Sequence, residues 1–409
     1  MFTIRYAISK LSTYEHFFLV SMFVSCSDSN FMESHWIHPI QPQGIPPSHF
    51  SSLEKSLDPN ACATCHTEQF QNWKKSFHAK SIGKGFLWQK EVLSPEEYKS
   101  CFNCHSPLPE TKSELSTEYQ TPEILNSKSH NFPNGITNPS IICASCHIRN
   151  QIRFGPPSKT NTETNKDNPN KILPHNGYIV KEDFESSKFC RSCHESKEEG
   201  VRLNGKKLME VYSEWEKSPF AKQGVECQNC HMPNREHSWK GIHDKTFVQN
   251  SISPSWQIKE QGGLYSIKAE IKSIRVGHMF PTYVVPKIYL RFYAITIENN
   301  RILLDESIVG RYVNTNLNEE YFDTRIKPNG ILLVQFNYKP KDEIQEFLWE
   351  IEVDPDEQYV RSFEEQLSTK SNIISKQTKK MLEESLSEKK NSRYLLFTLN
   401  WRVPASLPQ

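Results

Sequence analysis

The residues with the clearest chemical purpose are cysteines. Ten of the 11 cysteines form five Cys-x-x-Cys pairs, namely Cys62/Cys65, Cys101/Cys104, Cys143/Cys146, Cys190/Cys193 and Cys227/Cys230. A histidine follows each pair at once: His66, His105, His147, His194 and His231. Cys-x-x-Cys-His is the attachment signature of c-type haem. Two thiols three residues apart lie on one side of a helical turn, where they reach the two vinyl groups of one macrocycle. The next residue lies beside the porphyrin face and offers an imidazole nitrogen to the iron.

Two other chemistries use paired cysteines. Zinc ribbons do, but they require no histidine after every pair. Disulfide frameworks disfavour the short Cys-x-x-Cys loop, which is strained and redox-active. The pattern predicts five covalent haems c.

Cys26 stands apart. Arg5 and Lys10, an apolar stretch from Phe17 to Val24, and then Ser25 follow the order of a secretory signal peptide. Phe23-Val24-Ser25-Cys26 resembles the lipobox of bacterial lipoproteins, in which the cysteine is acylated, although Phe23 stands where leucine is usual. The alternative for Cys26 is a thiol in a discarded leader. Export is expected independently, because this haem attachment occurs outside the bacterial cytoplasm.

These residues need elements to position them. Residues 1–26 read as the leader and 27–60 as an extended tether or arm, with Pro39, Pro42, Pro46 and Pro47 spaced through it. The five motifs fall within residues 61–250, at intervals of 37 to 47 residues, which suits short helices and loops wrapped around macrocycles. Ser158–Asn170 reads as a polar surface loop.

From about residue 255 to 409 the pattern changes to period two. It runs through Ile288-Leu290-Phe292, Leu332-Val334-Phe336-Tyr338, Phe347-Trp349-Ile351-Val353 and Leu395-Phe397-Leu399-Trp401-Val403. Residues 361–389 read as one long helix with Phe363, Leu367, Ile374 and Met381 on a stripe. The expected class is α+β: a mostly helical multihaem cytochrome c domain followed by an antiparallel β-sandwich-like domain with one long helix. The second domain is expected as a cap over the haem chain, with partner docking as the alternative.

Apolar residues are 36% of the chain and the formal net charge is +1. So polar a chain either contains disorder or buries something besides its own side chains, and haem supplies apolar surface. The balanced charge gives no footprint for nucleic acid. No apolar run reaches the length of a transmembrane helix.

Trp73-Lys-Lys-Ser76-Phe77-His78-Ala79-Lys80 repeats as Trp215-Glu-Lys-Ser218-Pro219-Phe220-Ala221-Lys222, with Phe220 in the place of His78. The first motif with Gln69, Trp73, Ser76 and His78 resembles bacterial multihaem cytochromes c related to the hydroxylamine oxidoreductase and pentahaem nitrite reductase group. Gly224–Pro233 with His237, Trp239, Gly241, His243 and Asp244 is similar, as is Gly277-His278-Met279-Phe280-Pro281-Thr282. The resemblance covers roughly residues 35–300. It implies electron transfer between haems packed in pairs, usually with two histidines on each iron. The nitrite reductases bind substrate at a haem whose motif ends in lysine. None of these five does, which counts against nitrite reduction.

Filled axial positions mark a haem that only carries electrons, and catalysis needs one open. Beyond the five proximal histidines and His16, the candidates for the second position are His35, His38, His49, His78, His130, His175, His237, His243 and His278. The motif match favours His78, His175, His237, His243 and His278, with the others in reserve. Such a supply favours an electron carrier with no catalytic residue, exchanging electrons with redox proteins or quinol-linked donors of the cell envelope. It would sit in the periplasm or on a membrane through Cys26. The alternative is a reductase or oxidase of a small nitrogen or sulfur species at one open haem.

Overall fold

The computed structural model describes residues 31–111, 135–159 and 173–404. The leader with Cys26, His130 and most of the 158–170 loop lie outside the described residues. The class is α+β.

The motif region is built from short helices, because each attachment sequence forms little more than one helical turn. Pro95–His105, Cys143–His147, Lys188–His194 and Cys227–His231 each end on the histidine of a motif. In the first motif Cys62 lies in Pro59–Ala63, and His66 immediately precedes the helix Thr67–Lys75. Asp58 starts this pair by accepting the Asn60 N–H at 2.8 Å, with Pro59 in the first turn.

The stretch ahead of the motifs is packed into the domain. Ile40, Phe50 and Leu57 are buried, and His35 is 2% exposed. Residues 36–50, which carry the prolines, lie between the short helices Phe31–His35 and Ser52–Lys55 and form no helix or strand, yet they are partly buried.

The repeat has a common structural purpose. Trp73 Nε1 donates to Ile141 O at 2.8 Å, and Trp215 Nε1 donates to Val225 O at 2.8 Å. Each acceptor lies two residues before a Cys-x-x-Cys-His sequence, so Trp73 clamps the chain as it enters the third motif and Trp215 as it enters the fifth. The seryl residues also correspond, Ser76 Oγ accepting from Ala79 N and Ser218 Oγ from Ala221 N.

Residues 252–402 form a two-sheet antiparallel sandwich. Ile331–Tyr338, Leu264–Ser273 and Ile252–Gln261 make one sheet. Tyr394–Arg402, Ile344–Asp354, Lys287–Thr296 and Arg301–Val309 make the other. Alternate residues point inward, so Ile267, Ala269 and Ile271 share a core with Ile288, Leu290, Phe292, Phe347, Trp349, Ile351 and Val353. Ile252–Gln261 and Leu264–Ser273 escape the period-two reading, although Gly262-Gly263, both at positive φ, mark the two-residue turn between them. In the last strand a bulge opposite Ile351/Glu352 reverses the alternation. Leu396 is therefore buried and Leu395 is 41% exposed, against the expected inward set.

The expected single helix is two, Glu357–Lys370 and Lys376–Lys390. Ser375 divides them, capping the second through Thr378 N at 3.1 Å. Glu91 of the motif region fixes this corner by accepting from Ser375 N at 2.7 Å and Thr378 Oγ1 at 2.7 Å. Phe363, Ile374 and Leu382 bury against Trp88. The helical pair is thus a wedge between the motif region and the sandwich. Among the described residues no helix is long and apolar enough to cross a membrane.

Candidate haem-binding site

The ten motif cysteines are half-buried, apart from exposed Cys65. Close thiol contacts run between motifs, joining Cys62 to Cys143, Cys104 to Cys193, and Cys190 to Cys227. Cys146 also acts electrostatically on both Cys190 and Cys193. The attachment sites therefore adjoin in the order first, third, fourth and fifth, with the second meeting the fourth. Among the described residues no three of His, Cys, Asp and Glu gather as ligands of a metal ion.

The histidines come together in pairs. Ring centroids are 6.2 Å apart for His78 and His194, 6.1 Å for His147 and His237, and 6.3 Å for His231 and His278. His66 and His175 are also neighbours, the second lowering the pKa of the first after burial has done so. Elements distant in sequence make these meetings. His78 opens a short 3-10 turn, while His278 comes from the loop before the sandwich strand Lys287–Thr296. Gly277 permits that approach, since a Cβ there would sit 3.2 Å from Trp215 Cδ1.

Hydrogen bonds orient the rings. Nδ1 donates to a main-chain oxygen in His105 (Ser81, 3.1 Å), His147 (Phe154, 2.8 Å) and His231 (Lys240, 2.7 Å). The same holds for His175 (Gly177, 2.8 Å), His237 (Arg235, 2.8 Å) and His278 (Met279, 2.9 Å). His194 differs, its Nδ1 lying 2.7 Å from Tyr283 Oη. A proton fixed on Nδ1 leaves Nε2 with the lone pair a metal requires.

Burial keeps most of these rings neutral. It lowers His78 to about 3 and His147, His194 and His278 to about 4, and it also lowers His66, His105, His231 and His237. His105 and His194 are nonetheless exposed.

His243 behaves differently, because its Nε2 lies 3.0 Å from Asp356 Oδ2 and its ring packs on Phe77. Of the reserves, His35 Nε2 donates to Cys146 O at 2.8 Å, and His49 faces the Asn176 side chain. His38 stacks on Trp36. Sequence reasoning missed Tyr283, which no motif marks.

Residues 61–127 match the family described as cytochrome c554 and c-prime. No curated protein matches the sequence. A solved structure, the penta-haem cytochrome c552 from Thermochromatium tepidum, is 16% identical and superposes with a TM-score of 0.60, over 86% of this chain and 100% of that one. The X-ray structure of Northeast Structural Genomics Consortium target SoR45 matches at 9% identity over 39% of this chain and 92% of that one, with a TM-score of 0.19 that carries no argument. The family segment, the likeness in fold to that cytochrome and the Cys-x-x-Cys-His sequences together support a multihaem cytochrome c that transfers electrons on c-type haems.

Proposed function

We propose that the protein is an electron carrier of the cell envelope, with five haems c at its five attachment sequences. The carrying observation is the spacing of the paired rings. An imidazole nitrogen sits about 2 Å from a first-row metal ion, so two imidazoles on opposite sides of one iron have centroids roughly 6.3 Å apart. The three pairs, at 6.1 to 6.3 Å, fit that spacing.

On this reading His78 and His194, His147 and His237, and His231 and His278 each hold one iron, and His66 with His175 holds a fourth. Haem c supplies a one-electron iron couple where it is bound. The chain orients the imidazoles through Nδ1, keeps them neutral and brings the attachment sites together for transfer. The thiol contacts make the fourth site the junction of the second, third and fifth. Relation to the hydroxylamine oxidoreductase and nitrite reductase group, a lipid anchor at Cys26, and envelope redox proteins or quinol-linked donors as partners belong to the same proposal. Intact mass should exceed the processed polypeptide by five haems that survive acid–acetone extraction. Two or fewer would defeat the reading.

A second reading rests on His105. Its ring packs on Phe86 at 5.1 Å, and among the described residues no histidine pair of the above spacing includes it. With Nε2 of His243 turned to Asp356, the second site is the one where a small nitrogen or sulfur species would bind. Carbon monoxide uptake by one reduced haem per chain favours this reading, and no uptake favours the pure carrier.

A further inference from the structure

We propose that Tyr283 sets the reduction potential of the haem attached at Cys190 and Cys193, through its hydrogen bond to His194. The proposal rests on the reading of His194 as an axial ligand. Six of the rings described above turn Nδ1 to a main-chain oxygen, whereas His194 turns its Nδ1 to a phenol at 2.7 Å.

The acceptor matters because electron density on a ligating imidazole follows the pull on its Nδ1–H. A strong acceptor gives the ring imidazolate character, which favours ferric iron and lowers the potential. A phenol oxygen is a weaker acceptor than a peptide carbonyl, so His194 donates less to iron than its neighbours do.

Tyr283 is held where it is needed. It adopts φ 63°, a costly conformation for a bulky side chain that persists only when its surroundings fix it. On one side Phe280 exchanges backbone hydrogen bonds with Ile326 at 2.8 and 2.7 Å. On the other Val284 is buried against Leu203 and Val313, and its carbonyl accepts from Lys287 Nζ at 2.8 Å. The same loop carries His278. The sandwich therefore acts on two adjoining sites, as ligand at the fifth and as hydrogen-bond partner at the fourth. Because the fourth site meets three others, its potential governs how electrons distribute through the array.

The test is redox titration of the full haem-loaded protein, followed by optical and electron paramagnetic resonance spectra. His78→Ala first identifies the wave of the fourth haem, which should become high-spin. If every haem stays low-spin there, the His78–His194 assignment falls, independently of Tyr283. Tyr283→Phe should then move that same wave to a more positive potential, with five haems retained and all ligation unchanged. Replacing Tyr283 with 3,5-difluorotyrosine, titrated at a pH acid enough to keep its more acidic phenol protonated and so a poorer acceptor of similar shape, should give a smaller shift of the same sign. Unchanged potentials in both variants overturn the proposal. Loss of a haem or a new high-spin signal in Tyr283→Phe also overturns it, by reducing the residue to a structural support.

Discussion

His231 and His278 face one another across the boundary between the motif region and the sandwich, with centroids 6.3 Å apart and ring planes within 14° of parallel. The repeat explains why the partner comes from so far away. Phe220 occupies the place of His78 and packs beside Gly277, its ring Cδ2 3.9 Å from where a Cβ would be, so it supports the loop that delivers His278.

His278→Ala should convert one haem from low to high spin and let it bind carbon monoxide after reduction. Low-temperature electron paramagnetic resonance checks this. A spectrum identical to wild type would break the His231–His278 assignment.

Arg311 is fully buried and joins the two regions. Its guanidinium donates to Lys207 O at 2.5 Å and to Leu203 O at 3.3 Å, and pairs with Glu320 at 2.6 Å. Arg311→Met would strand those carbonyls and weaken the hold on a carboxylate shared with Lys206. The expected cost is about 3 kcal/mol, read as a lower guanidinium chloride midpoint for the haem-loaded protein. Arg202→Met, at an exposed pair with Glu198, should change the midpoint little.

His35 should make the protein acid-sensitive. Burial, with Arg149 nearby, lowers its pKa from 6.5 to about 3. Between those values the unfolded chain holds the extra proton and the folded chain does not. Stability is therefore intact above pH 6.5 and falls as pH drops through the window, by up to about 1.4 kcal/mol per pH unit. His35→Phe should flatten that slope in denaturant titrations from pH 7 to 4.

For Cys26, palmitate labelling and detergent partitioning provide the check. Acylation predicts a detergent-phase protein that Cys26→Ser releases or leaves unprocessed. Absence of label would leave a cleaved protein with no anchor.

The Cys-x-x-Cys-His motifs were legible because their spacing is local in the sequence, and four strands were legible because one face of each is buried. The pairing of histidines was not, since His78 and His194 or His147 and His237 meet only through tertiary structure. Local exceptions also defeat periodicity. One bulge exchanges Leu395 for Leu396, and one serine cap at Ser375 turns a long helix into two. Tyr283 illustrates a deeper limit, because its importance lies in which atom it touches.

The histidine pairs also bear on how the chain matures. On the proposed assignment His66 waits for His175, His147 for His237 and His231 for His278, so those three irons would acquire their second ligand only after more polypeptide has emerged, whereas His194 would find His78 already upstream. Thioether attachment could proceed motif by motif during export, while the ligand pairs would close later, that of the fifth haem last. The last closure would depend on a loop held by a finished sandwich. A chain truncated before residue 255 should therefore emerge fully coloured yet incompletely ligated, with its fifth haem exposed to stray ligands.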